Sequence, residues 1–365
     1  MWRLFLFSFV LLVEKPKALK IYSPCQALEK IARNQEKEPI VERVKNIEMA
    51  GLKAGYNPSV VRVANKNYLF FRYDVENIYE GYGDKTIKSF VACAVYDQEM
   101  EQLLELKEIG FDSSFAQDPR AIYFQGFIYV FCNKPVTDPL DAIKNPLRRM
   151  CVAKIDPETL EVVEQAILEF ALYDVEKNWI PFVGEDEKGV EALFLIHDLK
   201  TSHILRLDAT HLSVVYPVYV GSLVQEVTDW EADWGKVGGG TPAVRIGDEY
   251  IHFFHSRYVP EMGGVPLRYY VMGAASFDAK PPFQLKRISK EPIVFDGMYQ
   301  SPFRRSNLNS AYPSGVYYDE QSNQIQVSLG ENDRTMKMMY IDKDALNQQM
   351  QSVTMQTPHQ QEDYQ

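Results

Sequence analysis

The hydrophobic and polar positions along this chain predict β-strands over most of its length. In residues 115–133, an aromatic and β-branched run at 121–124 is followed by a Gln-Gly pair and then by a second apolar run at 127–132. Runs of this kind suit buried strands, and a short link that contains glycine suits a tight reversal. The pattern therefore predicts a β-hairpin, with a polar D-P-R tripeptide at 118–120 forming a turn before it.

The same plan recurs five times, roughly every 60 to 70 residues. Each unit has a turn that contains a proline, and the five prolines are Pro58, Pro119, Pro181, Pro242 and Pro313. After each proline comes a strand, a second turn and a second strand, and the second strands are predicted at 68–71, 127–131, 192–196, 250–254 and 325–329. Further strands, such as 152–156, close each unit before the next begins.

Five units of about four strands each are typical of a β-propeller, whose blades pack face to face around a central channel. We therefore predict an all-β fold in which residues 51–346 form one five-bladed β-propeller domain. A stack of β-sandwich domains is the structural alternative. It needs linkers, and the sequence shows none.

The two ends of the chain read differently. Residues 1–20 contain an apolar run at 4–13 that is too short to span a bilayer but fits the core of a secretory signal. Two interpretations stay open. A signal peptide implies a secreted or periplasmic protein, and a buried apolar segment implies a cytoplasmic one. Residues 21–50 predict an N-terminal helical extension outside the main body, and the Gln-rich residues 347–365 predict a disordered tail.

The amino-acid composition excludes some classes of binding partner. The formal net charge of −11 and the pI near 5.2 argue against binding to nucleic acid or to an anionic membrane surface. The four cysteines lack C-x-x-C spacing, so a structural zinc is not expected, and no cofactor is predicted. The oligomeric state stays open.

In a propeller, polar residues beside the turn prolines and just after the second strands converge at one rim of the channel. Those that begin the units are Asn57, Ser59, Asp118, Arg120, Lys177, Asn178, Thr241, Tyr312 and Ser314. Those that follow the second strands are Arg72, Asp74, Asn133, His197, Asp198, His255, Ser256, Glu331 and Asp333. We expect them to form a pocket.

The residue types suggest the ligand. Arg72, Arg120, Lys177 and His255 are cations or potential cations, which bind oxyanions or orient hydroxyls. Among Asp74, Asp118 and Asp333, a carboxylic acid in an apolar setting can stay protonated near neutral pH. Flat faces for sugar rings come from Tyr56, Tyr73, Trp179 and Tyr312. Together these groups indicate glycoside chemistry.

The motifs N-P-S-V-V, D-P-R, K-N-W-I-P-F, G-G-T-P-A-V followed by F-F-H-S, and a late G-E-N-D resemble those of glycoside hydrolase family 130. That family contains β-mannoside phosphorylases and related mannosidases with a five-bladed propeller, and the resemblance covers residues 56–344. It implies that Asp118 is the proton donor, acting in the phosphorylases through a substrate hydroxyl. It also implies that Asp333 binds sugar hydroxyls and that the phosphate or the sugar is surrounded by Asn57, Ser59, Arg72, Lys177, Asn178 and His255.

The chain departs from the family at three places. Gln117 stands where glutamate is usual before D-P-R, Lys177 replaces a phosphate-binding arginine, and His197-Asp198 stands where a second arginine is expected. These changes weaken the predicted phosphate site.

Each candidate also has a purely structural interpretation. Asp118 can cap a turn, Arg72 can form a buried ion pair with Asp74 or Asp118, His255 can be a core histidine, and Trp179 can pack between blades. The function predicted from the resemblance is inverting phosphorolysis of β-mannosides or related glycosides, with inorganic phosphate as co-substrate and Asp118 as proton donor. The alternatives are an inverting hydrolase whose base is Asp333 or Glu331, a mannosyltransferase on the same fold, and a sugar-binding propeller without catalysis.

Overall fold

The computed structural model describes residues 19–22, 25–36, 39–49, 55–77, 86–111, 115–136, 147–201, 203–221, 223–260, 267–302 and 308–354. These residues form twenty-two strands and three helices, so the predicted all-β class is confirmed. Helix α1 (Gln26–Gln35) and strand β1 (Val41–Ile47) come first. None of the helices in the described part of the chain is long and apolar enough to cross a lipid bilayer.

Three antiparallel sheets follow, each made of four consecutive strands. The first contains β2 (Gly55–Val63), β3 (Lys66–Asn77), β4 (Thr86–Tyr96) and β5 (Leu103–Ile109). The second contains β6 (Gln117–Phe124), β7 (Phe127–Pro135), β8 (Arg148–Ile155) and β9 (Val162–Ile167). The third contains β10 (Ile180–Glu185), β11 (Glu191–Asp198), β12 (His203–Asp208) and β13 (Ser213–Tyr219).

The remaining strands form two groups that are joined by two strand pairings. After helix α2 (Gln225–Trp234), β14 (Val237–Gly239) and β15 (Val244–Ile246) both pair with β16 (Glu249–Tyr258), and β17 (Arg268–Asp278) and β18 (Leu285–Ser289) follow. The last group contains β19 (Leu308–Asp319), β20 (Gln324–Glu331) and β21 (Thr335–Asp342), then helix α3 (Lys343–Gln349) and β22 (Met350–Ser352). Residues 268–270 of β17 pair in parallel with residues 308–310 of β19, and β18 pairs with β22, which joins the two groups. All five predicted second strands are present.

The prediction for residues 21–50 is wrong in part. Helix α1 ends at Gln35, and the residues after Pro39 form β1, which pairs antiparallel with β21. Leu28, Ile31 and Ala32 of α1 are buried in the core, so the segment does not lie outside the main body. Pairing with β1 satisfies the backbone groups of β21, which otherwise has an open edge.

The prediction for the C-terminal tail is also wrong in part. Leu346 of α3 is buried, and β22 pairs with β18, so ordered structure continues to residue 354. The remainder of the predicted tail, 355–365, lies outside the described residues, as does the predicted signal segment at 1–18.

The apolar cores lie between consecutive sheets. One cluster packs Phe70 of the first sheet against Val130 of the second, and another packs Phe131 of the second against Leu195 of the third. Further clusters join the third sheet to the fourth group and the fourth group to the last one. A cluster that contains Phe71 and Met338 packs the last group against the first sheet.

Bulges near the start of β2 and β6 position the site. The residue pairs Gln117–Asn133 and Arg120–Phe131 show that β6 holds one extra residue, and β2 has the same irregularity between Tyr56 and Ser59. The D-P-R tripeptide is therefore a bulge inside β6, which corrects the predicted turn. A bulge tolerates proline because the residue there does not need to donate a ladder hydrogen bond. A bulge also changes the direction of nearby side chains.

Candidate functional site

A cavity of ≈ 320 Å³ lies beside the bulges of β2 and β6. Other parts of its lining come from residues just before β10 and from strands β16, β17 and β19. Seven of the nine predicted site residues line it: Asn57, Arg72, Asp118, Lys177, Asn178, His255 and Asp333. Asn57, Asp118, Asn178 and Asp333 all adopt left-handed backbone conformations, with φ between 51° and 63°. Asparagine and aspartate accept this conformation more readily than other non-glycine residues, which explains their use at these positions.

Asp118 lies at the centre of the polar network. Its Oδ1 accepts hydrogen bonds from Asn57 Nδ2 at 2.8 Å and from Arg72 Nη1 at 3.4 Å. Burial raises the pKa of Asp118. The opposing effect is larger and comes from three nearby cations and one hydrogen bond, those of Arg72, Arg120, Lys177 and Asn57, so the pKa lies below its ordinary value. Asp118 is therefore a carboxylate at neutral pH in the ligand-free protein.

Arg72 is held between two carboxylates. Its Nε donates to Asp74 Oδ1 at 3.0 Å, and its Nη1 reaches Asp118. The guanidinium lies over the Tyr56 ring at 4.9 Å, and the Tyr56 hydroxyl donates to Asp74. The ion-pair interpretation of Arg72 is therefore correct, and the same side chain also lines the cavity.

His255, one of the predicted cations or potential cations, is a neutral imidazole because its pKa is lowered. Burial, together with the positive charges of Arg120 and Lys177, lowers its pKa to about 3. Its ring packs against Tyr312 with centroids 4.4 Å apart, and its Nδ1 has no hydrogen-bond partner among the described residues. A Cβ atom on Gly238 would lie 2.8 Å from this ring, so the sequence needs glycine there.

Two exposed cations and one carboxylate complete the lining. Lys177 and Arg268 line the cavity, and no described residue forms an ion pair with either. Asp333 lines the same cavity. Glu331, by contrast, is fully buried, accepts hydrogen bonds from the backbone of Tyr299 and Ser301, and pairs with a lysine. Its role is structural, so it is not a candidate base.

Two predicted site residues lie behind the lining. Ser59 Oγ accepts a hydrogen bond from the Ala121 backbone at 2.9 Å and so joins β2 to β6. Arg120 is 0 % exposed, and its Nη1 donates to the backbone oxygens of Asp118 and Pro119, both at 3.0 Å. Both residues support the bulges that carry the lining side chains.

Neither Trp179 nor Tyr73, two of the predicted sugar platforms, is among the residues that line the cavity. Trp179 is 1 % exposed, and its indole donates to Glu176 Oε2 at 3.1 Å. The same oxygen lies 3.0 Å from His197 Nε2, so the histidine at the expected arginine position belongs to a buried pair. Tyr73 donates to Glu108 at an exposed position. The packing interpretation of Trp179 is correct.

Besides Gln117, which directly precedes Asp118, four lining residues were not predicted: Arg268, Tyr270, Leu308 and Ser310. They reach the cavity through the parallel pairing of β17 with β19. Arg268 and Tyr270 are two residues apart and so lie on one face of β17. The alternation of residues in β17 is the only local signal for this, because its partner strand lies far along the chain.

The cavity thus combines a carboxylate held by donors with cations, a neutral imidazole and a second carboxylate. Such a set can bind hydroxyl groups and an oxyanion side by side.

No protein-family model matches this sequence, and no curated protein matches it either. Solved structures do share its fold. Mannose phosphorylase MPT-4 from Leishmania mexicana, solved with a phosphate ion, is 12% identical, with 90% of this chain and 96% of that chain covered and a TM-score of 0.58. The β-1,2-mannobiose phosphorylase from Listeria innocua, solved with β-1,2-mannobiose, is 14% identical over 86% of this chain and 94% of that chain (TM-score 0.57). A glycosyl hydrolase from Bacteroides ovatus is 13% identical over 80% and 85% (TM-score 0.53). At these identities the likeness concerns the fold alone.

Proposed function

We propose that this protein cleaves β-mannosides or related glycosides by inverting phosphorolysis in the cavity around Asp118. The observation that carries the proposal is the meeting of Asp118, Arg72, Lys177 and His255 in one cavity. Similarity to a mannose phosphorylase that binds phosphate and to a mannobiose phosphorylase adds support. No metal or organic cofactor enters the proposed reaction.

In the proposed reaction an oxygen of inorganic phosphate forms a bond to the anomeric carbon. The bond from that carbon to the glycosidic oxygen breaks, and the departing oxygen takes a proton that originates from Asp118, directly or through a substrate hydroxyl. The products are a sugar 1-phosphate and the shortened glycoside. Arg72, Lys177 and the neutral His255 donate to the phosphate, while Asn57 and Asp333 contact the sugar.

The lowered pKa of Asp118 imposes a condition on this mechanism. A carboxylate cannot donate a proton, so Asp118 must gain one before the glycosidic bond breaks. A phosphate anion beside Arg72 and Lys177 adds negative charge where positive charge now lowers the Asp118 pKa. Phosphate binding is therefore expected to raise that pKa and to load the proton.

We also infer that the five groups of strands are the blades of one five-bladed propeller. Each apolar core lies between consecutive groups, and the cluster containing Phe71 and Met338 joins the last to the first. Hydrogen bonds between the beginnings of neighbouring groups support the same arrangement, as in Ser59 with Ala121, and in Ala243, just before β15, with Pro181. The residues beside Pro58, Pro119 and Pro313 line a single cavity, as expected at one rim of a channel.

Hydrolysis is the second candidate, because Asp333 lines the same cavity and offers a carboxylate that can activate water. The two reactions are separated by assaying a panel of β-mannosides with phosphate present and absent. Release of mannose 1-phosphate only when phosphate is present supports phosphorolysis. Equal release of free mannose in both conditions supports hydrolysis and contradicts our proposal.

The role of Asp118 is tested in the same assay. Asp118→Asn keeps the shape of the side chain but cannot supply a proton, so turnover of a glycoside with a poor leaving group is expected to fall about 10²- to 10⁴-fold. Binding of the sugar should survive. A protein that binds mannosides but turns over none of them is a sugar-binding module, and one that passes mannose from an activated donor to an acceptor is a transferase.

A further inference from the structure

The hydroxyl of Tyr312 links two parts of the cavity. Arg120 Nη2 donates to this hydroxyl at 3.2 Å, and the hydroxyl donates to Asn178 Oδ1 at 2.8 Å. A guanidinium can only donate and a hydroxyl carries one hydrogen, which is left for the Asn178 oxygen. The oxygen of the Asn178 amide is therefore engaged by the protein, and its NH₂ group remains available as a donor. Asn178 lines the cavity.

The same chain of bonds reaches the backbone of the proposed proton donor. Through its other nitrogen, Nη1, Arg120 holds the carbonyl oxygens of Asp118 and Pro119. Asp118 and Asn178 have φ of 56° and 63°, a left-handed conformation that is unfavourable for most non-glycine residues. Such residues need support from their surroundings. Arg120 supplies it from behind the lining, and Tyr312 supplies it as part of the lining.

Lys177 and His255, two residues with nitrogen-bearing side chains, line the cavity with Asn178. Lys177 precedes it in the chain and lines the same cavity, and the neutral imidazole of His255 packs against the Tyr312 ring. The Nδ1 of His255 has no partner among the described residues. The ammonium and the amide NH₂ only donate, and a neutral imidazole donates at one nitrogen and accepts at the other, so Lys177 and Asn178 supply the donors that suit a phosphate oxyanion.

We propose that the Tyr312 hydroxyl is a positioning group that orients the Asn178 amide so that its NH₂ donates to the phosphate. The inference rests on the proposed function and gives the Tyr312 hydroxyl, whose one hydrogen goes to Asn178, a positioning role that Arg120 supports. Tyr312 reaches the ligand site in two ways, since its ring contacts His255 and its hydroxyl contacts Asn178.

Tyr312→Phe separates these two contacts because it keeps the ring and removes the hydroxyl. Calorimetry with inorganic phosphate is expected to show at least about tenfold weaker binding, and affinity for mannose is expected to change less than about twofold. Tyr250→Phe is the matched control. It removes a buried tyrosine hydroxyl that donates to the Val183 backbone at 2.6 Å, away from the cavity. Its phosphate affinity should equal that of the unmodified protein.

A double-mutant cycle tests whether Tyr312 acts through Asn178. In an Asn178→Ala background, Tyr312→Phe is expected to cause no further loss of phosphate affinity. Asn178→Asp serves as a second variant that retains the acceptor for Tyr312 and removes the NH₂ donor, so it should lose phosphate binding while the fold is kept.

The outcomes separate this inference from the proposed function. Additive losses in the cycle, or full phosphate affinity in Tyr312→Phe, overturn the positioning role. If the unmodified protein binds mannose but no phosphate, phosphorolysis is overturned and the phosphate contact of Asn178 is overturned with it, whereas the two preceding outcomes leave phosphorolysis standing. A protein that binds neither probe overturns both.

Discussion

Asn57 Nδ2 donates to Asp118 Oδ1 at 2.8 Å, and this bond joins the bulges of two neighbouring sheets. Both residues have left-handed backbones, with φ of 51° and 56°. Asn57 lowers the pKa of Asp118 through this hydrogen bond, and its backbone is under the same constraint as that of Asp118. The geometry of the proposed proton donor depends on two bulges at once.

We predict that at position 57 a glycine variant is more stable than an alanine variant. Both Asn57→Gly and Asn57→Ala lose a hydrogen bond to a charged group, but alanine also bears the cost of the left-handed conformation, about 1–2 kcal/mol. Urea unfolding measures the difference. At Gln117, a neighbouring strand residue without positive φ, the order should reverse because glycine weakens strands. Equal or greater stability of Asn57→Ala would contradict the assigned strain.

A second prediction concerns Gly330, which packs against the Asn57 bulge. A Cβ atom at this position would lie 2.6 Å from the Asn57 backbone nitrogen, too close for any side chain. Gly330→Ala should displace Asn57 and lower the free energy of unfolding by about 1–3 kcal/mol, as overpacking typically does. Gly110→Ala is the control, since no atom lies within 4 Å of its added Cβ. Equal stability of the two variants contradicts the close approach.

The strands and hairpins could be predicted because their signals are local. Alternation, β-branched runs and Gly-containing turns mark β6 and β7 without reference to any distant residue. Strand β1 carries a charged sequence that reads equally well as a helix. Its strand conformation comes from pairing with β21, almost the whole chain away, and local propensity does not report such pairing.

The cavity residues divide in the same way. Asn57, Asp118 and Lys177 stand beside repeated turn motifs, so their convergence follows from the repeat. Arg268 enters only through the pairing of β17 with β19. Burial decides the charge of His255, and opposing effects of burial and nearby cations decide the pKa of Asp118. Neither the charge of His255 nor the pKa of Asp118 can be predicted from the residues next to it in the sequence.

A third prediction concerns stability at acidic pH. His252 is fully buried near Phe254 and Phe277, and burial lowers its pKa to about 3 from 6.5. Between pH 6.5 and about 3 the unfolded chain therefore binds a proton at this histidine that the folded protein does not. The contribution of His252 to the free energy of unfolding is full above pH 6.5 and falls as the pH drops toward 3, by at most about 1.4 kcal/mol per pH unit.

His252→Phe should flatten this dependence, as measured by urea unfolding between pH 5 and 8. His211 provides a contrast, because Asp208 raises its pKa at an exposed position, and its replacement should slightly steepen the loss at low pH. An unchanged slope in His252→Phe would show that the buried histidine does not carry the effect.

The last prediction is that phosphate binding loads a proton onto Asp118. Burial raises the pKa of Asp118, and Arg72, Arg120, Asn57 and Lys177 lower it below 3.8 in the ligand-free protein. A phosphate anion placed among these cations opposes their effect, so the pKa rises on binding. Proton uptake is then largest when the pH lies between the free and bound pKa values, and it disappears at higher pH.

Calorimetry of phosphate binding in two buffers with different ionisation enthalpies measures this uptake, and Asp118→Asn removes the contribution of Asp118 while the titration of phosphate itself remains. The difference between the two proteins should be a net uptake of protons that grows as the pH is lowered from neutral. Equal proton linkage in both proteins would mean that phosphate does not act on Asp118, and the mechanism would then need another source for the proton that reaches the leaving sugar.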